Sequence, residues 1–394
     1  MTTRAKSGYS DERSARSAGQ SAARQALEGM STSPDLVLVF ASTNYAFPEL
    51  LRGVREVTGT APLLGASTAG QFTEKSGGAE SVVVMAVSSD SIRFRTGFAK
   101  GLRQNQRATV EAALSGFAEA NRAARAGGLT HATCIVCADG LAGHGEDLVE
   151  QIHTATGMLA QVVGGAAADA AKFERTDVFH GEESAPDALA VAMAFSRTPI
   201  GLGVSHGLTA GCDSMIVTRA SDNVLYEINS RPAVRAYEDF AASLGAPFTP
   251  ETRDAFMITH EIGMLTPSGE HKIRAPLKVT DEGALVLASE VPTGTSVTIM
   301  RGTKDGLISA AESAARAAVK NLNGGAARAV LSFDCICRRL FLGDEYRRQV
   351  GAFRSVIGDD VPIVGWETYG EIAMTKNQQA GWHNSTSVLA ILPD

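Results

Sequence analysis

The sequence predicts an α/β fold with two lobes, in which mixed β-sheets are flanked by helices. Three observations support this prediction. Short apolar segments typical of buried strands alternate with segments typical of helices. A strand–helix–strand–Gly-rich turn–strand unit occurs three times along the chain. With 394 residues the chain exceeds the usual size of a single core, which indicates at least two domains.

The N-terminal 30 residues precede the first copy of this unit. Residues 1 to about 12 are polar, so we expect a disordered tail. Residues 13–30 are Ala-rich and contain good helix formers, so we expect a helix that leads into the fold.

The three copies differ in length but share their order of elements. The first contains LVLVFAS, a helix near 47–58, APLLGASTAGQF at 61–72 and SVVVMAV. A looser second copy contains CIVCADG, EDLVEQIHTATGM, AQVVGGAAAD at 160–169 and DALAVAMAF. The third contains AVLSFDC, EYRRQVGAFRSVIG, VPIVGWETYGEI at 361–372 and STSVLAIL, and it aligns with the first without a gap across the turn segment. This spacing predicts pseudo-symmetric placement of the three turns.

Each turn follows a strand, so it should lie at the carboxyl end of that strand, where α/β sheets usually bind ligands. Between the second and third copies, residues 200–245 predict a strand, a turn at Asp222-Asn223 and a helix from about Pro232. Short strands and a long helix at about 307–322 follow. This region is expected to begin the second lobe.

Composition excludes several classes of function. The net charge is -7 and the pI about 5.7, which does not favour nucleic acid as a partner. No apolar run is long enough for a membrane-spanning helix, and the N-terminus lacks the apolar segment of a secretory signal. We therefore expect a cytoplasmic protein without a membrane partner.

Cys134 and Cys137 form a C-x-x-C pattern within an apolar segment that predicts a strand. Residues three apart on a strand point to opposite faces, so the two sulfur atoms should not share a metal ion. The five cysteines are an odd number, and we expect them to be reduced thiols.

The Gly-rich turns contain the first candidate ligand-binding residues. Gly65 and Gly70, like Gly164 and Gly365, are expected to provide the unusual backbone angles of a tight turn. Alternatively, backbone N–H groups of such turns could bind a carboxylate, with the hydroxyls of Ser67 and Thr68 and with Asp169, which ends the second turn, beside them.

Arg338 directly follows the strand AVLSFDC of the third copy, so it could complete a bidentate carboxylate clamp. We expect Arg338→Ala to weaken ligand binding without unfolding the chain. Calorimetry measures this effect.

The segment GWETYGEI contains the second group of candidates. If it is extended, Glu367, Tyr369 and Glu371 share one face and could hold an ammonium group, or they could pair with arginines for a structural purpose. Trp366 lies on the other face, as a core residue or as a stacking platform for a ligand.

The eight histidines form no metal-binding signature. The pair His260-Glu261 begins an HExxH motif that lacks its second histidine. His383-Asn384 precedes the last strand and could stabilise a turn or contact a ligand.

Five segments in this order resemble the FIST family of bacterial ligand sensors: GASTAGQF at 65–72, GGAAAD with VFH at 164–180, VTRASDNVLYEINSRPAV at 217–234, DCICRRL at 334–340, and GWETYGEI followed by HNST. The resemblance extends from about residue 34 to the C-terminus. It implies a FIST N domain at 31–215 and a FIST C domain at 216–394, after the N-terminal 1–30. The aromatic-rich G-F-Y-T-Y-G-E-I of the family is GWETYGEI here, with Trp366 and Glu367 in the middle. Because of this difference, the ligand class of the typical member does not transfer directly to this chain.

The resemblance implies a sensory role in signal transduction. Family members are proposed to bind small ligands such as amino acids, and free-standing members sense nitric oxide through haem and regulate a separately encoded histidine kinase. The sequence given shows no kinase or cyclase module, which favours the haem version. One neutral imidazole in an apolar pocket can hold haem iron, and His206 and His260 are the alternative axial ligands, since both have apolar neighbours in the sequence.

An enzyme remains the third possibility. GASTAG differs in spacing from the G-x-S-x-G nucleophile elbow and leads towards a strand, but hydrolysis by Ser67 with a distant histidine is conceivable. The leading hypothesis is a non-catalytic sensor that binds haem with nitric oxide. The alternatives are a sensor of an amino acid or a similar small organic anion, and an α/β hydrolase-like enzyme.

Overall fold

A computed structural model describes residues 2–374 and 381–394. It contains three copies of one unit, and a further domain is inserted in the third copy. The first unit consists of β1 (Thr3–Ser10), α1 (Ala15–Leu27), β2 (Leu36–Ser42), α2 (Phe47–Thr58), β3 (Leu63–Thr68), β4 (Gln71–Thr73), β5 (Gly77–Gly78) and β6 (Val82–Ser89). The second unit consists of β7 (Ile92–Lys100), α3 (Gln106–Ala113), α4 (Phe117–Ala126), β8 (His131–Ala138), α5 (Gly145–Ala155), β9 (Ala160–Ala166), β10 (Val178–His180), β11 (Glu183–Ala185) and β12 (Ala188–Ser196).

The third unit begins with β13 (Gly201–Ser205) and is then interrupted. The inserted domain consists of β14 (Thr209–Ala210), β15 (Met215–Ser221), β16 (Val224–Ile228), β17 (Arg231–Pro232), α6 (Val234–Ser243), α7 (Arg253–Thr259), β18 (Ile262–Leu265), β19 (His271–Arg274), β20 (Pro276–Val279), β21 (Leu285–Leu287) and β22 (Ser296–Arg301). The third unit resumes with α8 (Lys304–Asn321), β23 (Ala327–Cys335), α9 (Ile336–Leu342), a 3₁₀ turn (Gly343–Glu345), α10 (Arg348–Ile357), β24 (Ile363–Thr368), β25 (Glu371–Met374), β26 (Trp382–His383) and β27 (Ser387–Pro393).

The three units exchange two strands each in a cyclic order. Each six-stranded mixed sheet contains four strands of one unit. The two strands that follow a unit's Gly-rich turn join the sheet of the preceding unit in the cycle. The sheet orders are β1-β6-β2-β3-β10-β11, β7-β12-β8-β9-β25-β26 and β13-β27-β23-β24-β4-β5. The central pairs β2–β3, β8–β9 and β23–β24 are parallel and the other pairs are antiparallel. The predicted α/β fold and its repeated unit are therefore confirmed.

A central apolar core joins the three sheets. It contains inward-facing side chains of all three, including Leu38, Ile135 and Leu331. Helices cover the outer face of each sheet: α1 and α2 pack on the first, α3 to α5 on the second, and α8 and α10 on the third. Burial on both faces explains why the central strands are almost continuously apolar.

The N-terminal residues are ordered, which differs from the expected disordered tail. Strand β1 pairs antiparallel with β6 over its full length, from Thr3 opposite Ser89 to Ser10 opposite Val82. Its polar side chains suit an edge strand that is only partly buried, and Gly8 allows close contact with Ala22 of α1. Polar composition alone thus misidentified an edge strand as a tail. The leading helix, α1, is present as expected.

The inserted domain has its own sheet of nine strands and its own core, which includes Val217, Tyr237 and Leu285. The sequence-based boundary between residues 215 and 216 falls within β15. The third unit belongs to the central core together with the first two units. It does not form a separate lobe with the insert.

The two sulfur atoms of the C-x-x-C pattern lie on opposite faces of β8, as expected. Cys137 belongs to the central core and Cys134 to the layer beneath α3 to α5. Burial raises the pKa of both thiols, that of Cys134 to about 12. Within residues 2–374 and 381–394, no cluster of His, Cys, Asp and Glu has the composition of a metal site. No helix in these ranges is long and apolar enough to cross a membrane.

Candidate functional site

The three Gly-rich turns meet at one end of the sheets and bond to one another through the main chain. Ala168 N donates to Ser67 O at 2.9 Å, and Tyr369 N donates to Ala166 O at 3.2 Å. Glu367 N donates to Gly70 O at 2.7 Å. The turns therefore form a hydrogen-bonded junction of the three units.

The candidate hydroxyls of the first turn bond within the protein. Ser67 is fully buried and its Oγ accepts the backbone N–H of Asp177 at 2.9 Å, which joins β3 to the strand contributed by the second unit. Thr68 Oγ1 donates to Gln71, whose amide donates in turn to Ser81 O at 2.8 Å. Both hydroxyls thus stabilise the exchange of strands.

The glycines of the turns do not have the unusual backbone angles expected of them. Gly65, Gly70, Gly164 and Gly365 all lack a positive φ. Gly65 and Gly164 lie inside strands, where an added Cβ would overlap the carbonyl oxygen of the adjacent parallel strand. Close packing, and not turn conformation, requires glycine there.

Arg338 is buried with an acidic partner of its own. Its Nε donates to Asp334 Oδ1 at 3.0 Å, and one terminal nitrogen donates to Leu307 O at 2.9 Å and Gln349 Oε1 at 3.2 Å. Loss of Arg338 would leave the buried Asp334 carboxylate without its cation, which is strongly destabilising in proteins. The expectation that Arg338→Ala spares the fold is therefore not supported, and direct contact of Arg338 with a ligand stays a prediction.

The segment GWETYGEI is not extended throughout, so its candidates do not share one face. Strand β24 ends at Thr368, and the chain reverses at 369–370 before β25 joins the second sheet. Glu367 pairs with Arg339 at 3.1 Å, whereas Glu371 accepts from Thr368 Oγ1 at 2.6 Å and from Thr386 N at 3.1 Å. Sequence alternation assumed a continuous strand, which the turn interrupts.

The buried carboxyls of this segment hold their protons more strongly than usual. Burial raises the pKa of Glu367 to about 7, although Arg339 opposes the shift. Burial also raises the pKa of Glu371 well above its ordinary value. Trp366 lies fully buried in the central core, where it stacks on Phe40 at 4.5 Å, so it provides no platform on the surface.

Asp169 and Tyr369 come together, as two of the predicted site residues should. The Tyr369 hydroxyl donates to Asp169, whose carboxylate also accepts backbone N–H groups of residues 173–175. Burial would raise the pKa of Asp169, but these hydrogen bonds outweigh it and lower the pKa. Phe173 then stacks on Tyr369 at 4.6 Å. The pair therefore fixes the loop that follows β9.

The candidate histidines lie in three separate places. His383 is buried, and its Nε2 donates to Ala373 O at 3.1 Å; burial lowers its pKa to about 3. His206 is half-buried where the inserted domain meets the third unit. His260 is half-buried in the aromatic cluster of the insert. Burial lowers the pKa of His206 to about 4 and also lowers that of His260.

A cleft separates the second and third units from the inserted domain, and we call it the core–insert cleft. Its volume is about 160 Å³. The core contributes the loop between β8 and α5, Tyr369 and Trp382, and the insert contributes two loops. The lining residues are Asp139, Gly140, Gly143, His144, Gly145, Glu146, Tyr369, Trp382, Asp222, Asn223, Ala288, Ser289 and Glu290.

Charged groups link the two sides of the core–insert cleft. At its base, Glu146 of the core pairs with Lys272 and Arg274 of the insert. Burial lowers the pKa of Lys272 to about 8, with Glu146 opposing the shift. At its mouth, His144 Nδ1 lies 3.0 Å from Glu290 Oε1. These ion pairs therefore depend on the position of the insert relative to the core.

The candidates expected from the sequence do not include most of this lining. The Gly-rich stretch DGLAGHGE at 139–146, between a strand and a helix, was a signal that could have indicated it. Ser289 and Glu290 carry no such signal, because only the tertiary structure brings their loop to the core. Tyr369 is the one predicted site residue that lines the cleft.

Two family models match consecutive parts of the chain. The FIST N domain matches residues 35–231 and the FIST C domain matches residues 233–374. The chain belongs to the FIST family. FIST domains are sensory, ligand-binding domains of signal-transduction proteins. The boundary between the two matches lies within the inserted domain, after the first residue of β17, so this FIST protein combines both sequence domains in its insert.

No curated protein matches this FIST sequence. Among solved structures, a cyanuric acid hydrolase from A. caulinodans is similar over 100% of this chain and 99% of that chain, with 11% identity and a TM-score of 0.32. So low a TM-score supports no inference about function.

Proposed function

We propose that this FIST protein is a non-catalytic sensor that binds a small polar molecule in the core–insert cleft. Binding changes how the inserted domain sits on the three-unit core, and a separate signalling protein, such as a histidine kinase, detects the change. The observation that carries the proposal is that the cleft is lined by both bodies. A ligand can shift an equilibrium only if it binds one arrangement more tightly.

Two polar atoms of the cleft residues favour a polar ligand. Glu146 Oε2 and Ser289 Oγ are buried and have no hydrogen-bond partner among the described residues. A buried polar atom without a partner costs about 1–3 kcal/mol, so a ligand that bonds to both atoms would gain affinity. One atom belongs to the core and the other to the insert, so such a ligand would stabilise their closed arrangement.

The size of the cleft favours a molecule no larger than an amino acid. Its volume of about 160 Å³ is below the roughly 300–1,000 Å³ typical of sites for drug-sized ligands. The wall formed by Tyr369 and Trp382 offers apolar contact beside the polar atoms. These features support the organic-ligand alternative.

Fluorine NMR of the chain labelled with 5-fluorotryptophan tests this proposal. The two tryptophans give two signals, of which Trp382 lines the cleft and Trp366 lies in the core. We expect a small polar metabolite from a mixed panel to shift the Trp382 signal in a saturable manner and leave the Trp366 signal unchanged. If no compound does so, or if both signals move together, the cleft is not the ligand site.

A second candidate is the haem sensor, which one observation at His260 favours. Phe256 O can only accept, and it lies 2.9 Å from His260 Nδ1, so Nδ1 carries the proton and Nε2 is left as an acceptor. Metal-binding histidines commonly donate their other N–H to a carbonyl in this way. His206 has the opposite arrangement, since Leu208 N donates to its Nδ1 at 3.0 Å and the proton lies on Nε2.

His260 therefore fits an axial ligand better than His206 does. Phe256 stacks on its ring at 4.1 Å and Phe240 approaches at 5.5 Å, which supplies apolar surroundings. A bound haem would supply the iron that binds nitric oxide.

The absorption spectrum tests the haem candidate. After expression with a haem precursor, we expect an intense Soret band that His260→Ala abolishes and that nitric oxide shifts. His206→Ala is the matched control and should keep the band. A spectrum without a Soret band, or a band that survives His260→Ala, contradicts the candidate and leaves the organic ligand.

A further inference from the structure

The loop between β8 and α5 has the backbone features of an anion-binding site. Gly143 and His144 have successive positive φ values of 78° and 51°, and α5 begins directly after them. Successive N–H groups in such turns form concavities that bind anions in proteins. Gly145 is required because a Cβ there would overlap the Trp382 ring.

The first N–H groups of α5 are available to a ligand. The first helical hydrogen bond runs from Leu148 N to His144 O, so the N–H groups at 145–147 have no intrahelical acceptor. His144 occupies the capping position and makes no side-chain hydrogen bond there. Ser, Thr, Asp and Asn are preferred at the start of a helix because their side-chain oxygens accept one of these bonds, and His144 provides no such oxygen to this helix of 11 residues.

A buried hydroxyl faces the same cleft from the insert. Ser289 is 8% exposed, lines the core–insert cleft, and its Oγ has no partner among the described residues. This observation is independent of the helix, because Ser289 belongs to the loop after β21. A hydroxyl can donate to an anion that the helix N-terminus attracts.

Two carboxylates of the cleft have cationic partners behind them. Glu146 is a single carboxylate paired with two cations, Lys272 and Arg274. Asp139 is neutralised by Arg103 at 2.8 Å and accepts the N–H groups of Leu141 and Asp187. At the mouth of the cleft, His144 of the core contacts Glu290 of the insert. Nearby cations therefore compensate Asp139 and Glu146, two of the four carboxylates that line the cleft with Asp222 and Glu290, and the attraction for an anion comes from the main-chain N–H groups.

We infer that the ligand is a small organic anion whose carboxylate or phosphate group binds the N–H groups of the β8–α5 loop and the Ser289 hydroxyl. Glu146 Oε2 accepts a second hydrogen bond from a donor on the same molecule. This inference rests on the proposed function and specifies the chemistry of that site.

Titrations of the fluorotryptophan-labelled full chain test the inference at constant ionic strength. The probes are inorganic phosphate, glycolate, acetate and methylammonium, with chloride as the reference anion. We expect phosphate or glycolate to shift the Trp382 signal in a saturable manner. Glycolate should bind more tightly than acetate, because only glycolate has a hydroxyl for Glu146. Phosphate alone would identify a phosphate ester as the natural class, and glycolate alone a hydroxy or amino carboxylate.

Three variants test where the anion binds. Ser289→Ala should weaken binding of the anion about fivefold or more and leave the melting temperature unchanged, because its hydroxyl has no partner to lose. Ser332→Ala is the matched control, since Ser332 is also buried and its Oγ also has no partner among the described residues, but it lies outside the cleft. His144→Gly should retain binding, because the anion binds the main chain.

The outcomes separate the inference from the proposed function. If methylammonium or an uncharged metabolite shifts the Trp382 signal and none of the anions does, the inference is overturned and the cleft remains a ligand site. Anion binding that is unchanged in Ser289→Ala also overturns it. If no probe and no metabolite shifts the Trp382 signal, the proposed function fails with it.

Discussion

At the scale of single residues, the most unusual chemistry is a group of buried carboxyls near the C-terminal end of β23. Glu261, Asp334, Glu367 and Glu371 are each at most 2% exposed. Arg338 forms an ion pair with Asp334. Glu261 comes from the insert and accepts a hydrogen bond from Ser385 of the core, and its Oε2 has no partner among the described residues.

Glu261 should make the stability of the protein depend on pH. Burial raises its pKa to about 8, while Ser385 and Arg338 oppose the shift. Between its unfolded pKa of about 4.3 and its folded pKa, the native state binds more protons, so the free energy of unfolding falls as pH rises through that window. We expect Glu261→Gln to reduce this loss by on the order of 3 kcal/mol between about pH 5 and pH 8.

Urea unfolding at several pH values measures the effect. Glu282→Gln is the control, since Glu282 is an exposed residue of the same inserted domain. Part of the pH dependence of the free energy of unfolding should remain in Glu261→Gln, because burial also raises the pKa of Glu371. Equal slopes for Glu261→Gln and the wild type would show that Glu261 is ionised in the folded protein.

At the scale of elements, each unit depends on close contact between its two parallel strands. Gly65 pairs with Val39 across β2 and β3, and Gly164 pairs with Val136 across β8 and β9. A Cβ at either glycine would overlap the carbonyl oxygen of that partner. At the equivalent Gly365 the Phe72 ring of the exchanged strand occupies the space instead. Glycine at this position of the unit therefore makes room for a main-chain carbonyl oxygen in two units and for an aromatic ring in the third.

Gly65→Ala should therefore destabilise the protein by about 2–3 kcal/mol, because a strand backbone cannot move aside as a flexible side chain can. Denaturant unfolding measures this change. Gly351→Ala in α10 is the matched control: nothing lies within 4 Å of its added Cβ, so the change should stabilise the helix by roughly 0.5–1 kcal/mol. A neutral Gly65→Ala would contradict the role assigned to this contact.

At the scale of the whole molecule, the exchange of the strand pairs β4–β5, β10–β11 and β25–β26 ties the three units into one core. Each exchanged pair follows a Gly-rich turn, which explains why the turns bond to one another. The turns thus hold the core together, and the open space lies beside them, where the insert covers the β8–α5 loop. Under the proposed function, a ligand in the cleft changes the position of the insert on the core.

The sequence by itself determined the α/β class, the three repeated units and the FIST membership, because strand and helix periodicity, glycine spacing and family motifs are local properties. It also placed Cys134 and Cys137 on opposite faces of one strand. These features need no knowledge of which strands meet in space.

Only the tertiary structure decided the rest. Polar composition could not distinguish the edge strand β1 from a disordered tail, because its partner β6 lies more than 70 residues away. Arg338 resembled a ligand clamp until the fold placed the buried carboxylate of Asp334, near the end of β23, beside it. The cleft was not visible in the sequence, since residues near 140, 289 and 382 become neighbours only when the strands exchange and the insert packs on the core.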